Sequence, residues 1–80
     1  MNQNKVGQII KETRLKNNLT QQQFADMFGV TYQAVSKWEN GKNIPDILIL
    51  KDICNKFNID INEILDVKKD NFSSKKKKNV

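Results

Sequence analysis

The stretch Gln21-Gln22-Gln23-Phe24-Ala25-Asp26-Met27-Phe28-Gly29-Val30-Thr31-Tyr32-Gln33-Ala34-Val35-Ser36-Lys37-Trp38-Glu39-Asn40 decides the fold, because it reads as two short helices joined by a tight turn. Thr20 stands where an N-cap belongs, and Gln23 three positions on completes a capping box. In that arrangement the hydroxyl accepts one orphan backbone N–H while the amide reaches back to another. Phe24, Ala25, Met27 and Phe28 give the first helix an apolar face. Gly29 falls where the chain leaves that helix with positive φ, which costs glycine little because it has no Cβ. Val30 follows as a buried plug, and Thr31 caps the second helix. On that helix Val35, Trp38 and Glu39 share a side, since residues three and four apart lie on one face. At about 100° per residue, Gln33, Ser36, Lys37 and Asn40 fall opposite, with Tyr32 at the edge. Two amides, a hydroxyl and an ammonium on one outward face are groups that can hydrogen-bond base edges.

Upstream, Val6, Ile10 and Leu15, with Ile9 at the flank, form a helical apolar stripe from about residue 5 to 17. Gly7 weakens this helix by roughly 1 kcal/mol relative to alanine, and its small size admits a close neighbour. Asn17-Asn18 ends it, and Leu19 staples the start of the next helix. Downstream, Asn40-Gly41-Lys42-Asn43 is a turn, and Pro45-Asp46 opens a fourth helix with the aspartate as cap. Ile47, Leu50, Ile53, Cys54 and Phe57 make its buried stripe, and Asn58 stops it in the left-handed conformation. Ile59 plugs the gap, and Asp60-x-x-Glu63 opens a short fifth helix carrying Ile61, Ile64 and Leu65. No segment alternates long enough to be a strand, so the expected fold is all-α, a compact five-helix bundle over residues 1–66. Residues 67–80, with lysines at 75–78, are too polar to pack and read as a disordered tail or linker. Such a segment serves as a solubilising terminus, as an arm on phosphates, or as the link to a longer protein.

The net charge of +5 comes mainly from that ending: residues 66–80 hold six lysines and two aspartates, while the rest holds eight basic and seven acidic groups. Distribution says more, because residues 1–44 carry six basic against three acidic groups and residues 45–65 two against four. The half containing the two-helix stretch is therefore the positive one, a polarity that orients a domain on phosphates. Histidine is absent and Cys54 is the one cysteine, which excludes a disulfide framework and a cysteine-based zinc site. With no glycine loop that cradles phosphate and no catalytic constellation, neither enzymatic activity nor a cofactor is implied, and Cys54 reads as core. No run approaches the roughly 20 apolar residues of a membrane span. The expected setting is a soluble, reduced, cytoplasmic one.

The ordered set Gly7, Arg14, Leu19-Thr20-Gln21, Phe24-Ala25, Gly29-Val30-Thr31, Val35 to Gly41, Pro45-Asp46 and Ile61 to Leu65 resembles the Cro/repressor-type (Xre-like) helix-turn-helix family. That family includes phage repressors, whose second motif helix lies in the DNA major groove while the helix before it crosses the backbone. The resemblance implies a lambda-repressor-like DNA-binding domain whose partner is double-stranded DNA. Carried onto this chain, it makes Gln33 and Lys37 base readers, through adenine N6/N7 and guanine O6/N7 respectively. Ser36 bonds either kind of edge, and Tyr32 packs on a thymine methyl or donates to a phosphate. Gln21, Asn40 and Lys42 become phosphate contacts, which fix register without reading sequence. Arg14 and Glu39 become a salt bridge between the first and third helices. Leu48 and Ile49 stand where relatives are polar. With Ile61 and Ile64 they suggest either a homodimer interface or packing on the domain's own fifth helix. The implied function is a sequence-specific transcriptional regulator, a repressor on a palindromic operator. The alternatives are a restriction-modification controller, an antitoxin with a toxin partner, or a protein-interaction module.

Overall fold

A computed structural model describes residues 3–65, which form five helices. These are α1 (Gln3–Lys16), α2 (Gln21–Met27), α3 (Tyr32–Glu39), α4 (Ile47–Phe57) and α5 (Ile61–Leu65), with no strand among the described residues. The expectation for residues 67–80 lies outside the described residues.

Local chemistry accounts for where each helix begins. The Thr20 hydroxyl accepts the Gln23 N–H at 3.0 Å while the Gln23 side chain accepts the Thr20 N–H at 2.8 Å, the reciprocal capping box. Thr31 accepts the Ala34 N–H at 3.2 Å, and Asp46 accepts the Leu48 N–H at 2.9 Å. Such caps satisfy backbone donors that a first helical turn leaves unpaired, and each is worth about 1 kcal/mol.

The exits share one device. Asn18, Gly29, Gly41 and Asn58 all adopt positive φ, between 58° and 73°. After each, the next residue's N–H returns to the carbonyl five positions back: Leu19 to Arg14, Val30 to Ala25, Lys42 to Lys37 and Ile59 to Cys54, at 2.8–3.1 Å. This is the hydrogen bond of a Schellman-type C-cap. At Gly29 an added Cβ would meet nothing within 4 Å, so the backbone angle, not space, calls for glycine there.

The core joins all five helices through Val6, Ile10, Phe24, Ala25, Val35, Trp38, Leu50, Ile53, Cys54 and Ile64. Phe24, Phe28 and Phe57 cluster between α2 and α4, with Phe24 and Phe57 stacked at a centroid distance of 5.7 Å. Cys54 is a free, buried thiol whose pKa is raised by burial and, to a lesser degree, by Asp60. A thiol held in its neutral form behaves as a small apolar side chain.

Three side chains expected inside are exposed. Leu15 is 54 % exposed because the buried line Val6–Ile10 continues, four residues on, to Arg14. Met27 is 38 % exposed because Phe24 and Phe28 occupy the inward positions of that turn. Ile47, in the first turn of α4, is 52 % exposed, and the buried stripe begins at Leu50. Val30 is half-buried at the margin of the core rather than sealed within it.

Candidate nucleic-acid interface

The helix pair α2–α3 carries the site, and α1 holds it from behind. Val35 and Trp38 anchor the inner face of α3 in the core, which turns its other face to solvent. Tyr32 (47 % exposed), Gln33, Lys37 and Asn40 all lie on that outward surface. Ser36 is half-buried, and its Oγ accepts a long bond of 3.4 Å from Asn40 Nδ2. Lys42 follows in the turn with its side chain exposed, while its backbone N–H closes the α3 cap. Two amides, a phenol and two ammonium groups thus share one protruding surface, free of acidic side chains from α3 itself because Glu39 faces inward.

Glu39 is the acceptor of a buried cluster. Its Oε2 accepts Arg14 Nε at 2.7 Å and its Oε1 accepts Arg14 Nη2 at 3.0 Å, a two-pronged pair. Arg14 Nη1 donates to the Leu19 carbonyl at 3.0 Å, so one guanidinium ties α1, the α1–α2 loop and α3 together. Its hydrogen bond to Glu39 raises the Arg14 pKa, outweighing the opposing effect of burial. Below the ion pair, α1 meets α3 backbone to backbone: a Cβ added to Gly7 would collide with the Trp38 carbonyl oxygen.

Gln21 makes a contact that the sequence reading did not include. Its amide, expected to face a phosphate, is half-buried and donates to Glu39 Oε1 at 3.1 Å. Sequence offers no local sign of this bond, because the partners lie 18 residues apart. Of the expected interface residues, Leu48 is 69 % exposed, whereas Ile64 is fully buried and Ile49 and Ile61 are half-buried against the domain's own core. Ile64 therefore has no surface to offer a partner. The exposed apolar surface here is Leu48 with its neighbour Ile47.

Among the described residues, no group of three or more histidine, cysteine, aspartate or glutamate side chains is placed to hold a metal ion. No helix among them is long and apolar enough to cross a membrane.

Two capped helices joined through a left-handed glycine, the second with its polar face outward, define a helix-turn-helix unit. The chain belongs to the helix-turn-helix family of DNA-binding regulators, whose sequence model matches residues 10–64. It is similar to the HTH-type transcriptional activator BcrR of Enterococcus faecalis, 41 % identical over 56 residues, covering 70 % of this chain and 28 % of that protein. It is also similar to the antitoxin PezA of Streptococcus pneumoniae serotype 4, 33 % identical over 60 residues, covering 75 % of this chain and 38 % of that protein. The similarity thus spans about a third of the length of these relatives. No solved structure gives a significant match.

Proposed function

We propose that this chain binds double-stranded DNA sequence-specifically through α3, and that it serves as a transcriptional repressor acting as a dimer on a palindromic operator. The observation that carries the reading is the outward face of α3, where Gln33 and Lys37 stand exposed on a helix anchored from behind by Val35 and Trp38. A carboxamide suits adenine N6/N7 and an ammonium suits guanine O6/N7. Tyr32 and Ser36 complete the reading surface, and Asn40 and Lys42 hold the phosphate backbone beside it. Those backbone contacts set register for every sequence alike.

Selection of bound duplexes from a random pool tests the reading directly, since it yields any preferred motif, its symmetry and its half-site spacing. Gln33→Ala is expected to relax preference at one or two base pairs, at a cost of about 1–3 kcal/mol there. An even loss across all sequences would demote Gln33 to a backbone contact.

A twofold protein suits half-sites about 34–36 Å apart. Leu48 and Ile47 supply apolar surface for such a dimer. Leu48→Lys is expected to shift sedimentation on and off DNA toward the monomer, and sedimentation identical to the parent's would exclude this surface. The sign of regulation has a second reading: the similarity to a protein named a transcriptional activator favours contact with polymerase over occlusion. The similarity to a protein named an antitoxin favours a toxin as a further partner.

A further inference from the structure

We infer that Asn40-Gly41 is a hydrolytic modification site: the asparagine deamidates when the end of α3 opens, and the carboxylate formed disables the surface that meets DNA. The consequence for DNA rests on the DNA-binding reading above, whereas the chemistry does not. Asn40-Gly41 is the one asparagine–glycine pair in the sequence. Glycine has no Cβ to hinder its own backbone nitrogen, so that nitrogen can reach the side-chain carbonyl carbon of the residue before it. In the reaction the Gly41 nitrogen bonds to Asn40 Cγ and the Cγ–Nδ2 bond breaks. Ammonia carries away Nδ2 together with the Gly41 amide proton. Water then opens the five-membered ring at one of its two carbonyls, to leave aspartate or iso-aspartate. Water is the only reagent consumed.

The folded chain exposes the amide and restrains its attacker. Asn40 is exposed at the C-cap of α3. The Gly41 N–H donates to the Trp38 carbonyl at 3.1 Å, and the Lys42 N–H closes on the Lys37 carbonyl at 2.9 Å. Trp38 holds its carbonyl in place, because its side chain is buried and the oxygen lies against Gly7 of α1. Asn40 ψ is 5°, so the Gly41 nitrogen eclipses the Asn40 backbone nitrogen. Ring closure needs it to eclipse Cβ instead, a rotation that breaks both cap bonds. The reaction therefore runs from the opened cap, and its rate reports the free energy of that opening. Either product replaces an amide donor with a carboxylate that only accepts. The new negative charge sits at a helix C-terminus, where the backbone dipole disfavours it, and beside the place a phosphate would occupy. Iso-aspartate also adds a methylene to the main chain, so the Lys42-to-Lys37 bond no longer closes in its present geometry.

Incubation of the full chain in mildly alkaline buffer, followed by mapping of the tryptic peptide 38–42, tests the chemistry. Deamidation of Asn40 is expected in both buffer and guanidinium chloride. It should run at least about tenfold slower in buffer, the factor that an opening free energy of about 1.4 kcal/mol sets. Deamidated chain separated by its lost charge, and Asn40→Asp, are each expected to bind duplex about tenfold more weakly than the parent, since one phosphate contact becomes a repulsion. The loss should be the same on selected and random duplex, because that contact reads no sequence. Asn40→Asp keeps the main chain intact, so it measures the charge alone should iso-aspartate unfold the domain. Equal rates in buffer and in guanidinium chloride, or an Asn40 that survives both, would overturn the inference. So would Asn40→Asp protein that binds duplex as the parent does. A parent that binds no duplex would sink the DNA-binding reading, whereas the mapped rates decide the chemistry without DNA.

Discussion

Arg14→Met is expected to lower the stability of the domain by about 3–5 kcal/mol, read as a shift of the urea midpoint at unchanged slope. The arginine itself is replaced by a side chain that suits a buried site, so little of the loss is lost packing. The loss comes from Glu39, whose side chain is 4 % exposed and would be left with one neutral donor, Gln21, in place of a two-pronged cation. The Leu19 carbonyl would also lose its Arg14 donor. Small domains have few kcal/mol to lose, so much of this variant should be unfolded at physiological temperature. Exchanging both partners for apolar residues, Arg14→Met with Glu39→Leu, is expected to recover most of the loss, because a buried pair contributes less than an orphaned charge costs. An Arg14→Met protein that melts like the parent would contradict this account.

Gly7→Ala is expected to destabilise as well, against the ordinary trend. In the interior of a helix, alanine is normally better than glycine by roughly 0.5–1 kcal/mol. Here the new methyl group would run into the Trp38 carbonyl oxygen and approach the Glu39 backbone at 3.1 Å. Backbone cannot swing aside as a flexible side chain does, so α1 and α3 would have to separate. Overpacking of this kind costs about 1–3 kcal/mol, enough to reverse the helix gain. The displacement also falls on the helix that carries Gln33 and Lys37, so sequence discrimination should drop together with the denaturation midpoint. A midpoint raised by the substitution would show that α1 and α3 are not in backbone contact.

Much of this architecture could be read from the residues because its signals are local. Thr20, Thr31 and Asp46 each cap a helix two or three residues away, and the residues at the left-handed exits are glycine or asparagine. Local chemistry leaves such positions few alternatives. The misreadings occurred at the margins of apolar stripes. Leu15 lies one position past Arg14, and helical periodicity alone does not say that an arginine, held by a carboxylate from another helix, takes the inward place. Ile47 overhangs the first turn of α4, where the stripe has not yet met its partner helices. The Arg14–Glu39 pair came from family resemblance, since no spacing rule links residues 25 positions apart. The Gln21–Glu39 bond and the Phe24–Phe28–Phe57 cluster depend on the tertiary meeting of helices, for which the chain offers no local sign. The outward face of α3 was legible because Val35 and Trp38, three apart, declare its inner side.

The four left-handed exits have a mechanical consequence. Each closes its helix with a backward bond spanning five residues, and at Asn18, Gly29 and Asn58 the next helix begins after only two further residues, which leaves those joints little room to hinge. A body jointed in this way meets a duplex with its curvature already decided. Accommodation on docking falls to long side chains and to the nucleic acid, whose bending and groove width vary with base composition. Preference at positions that no side chain reaches would follow from that stiffness.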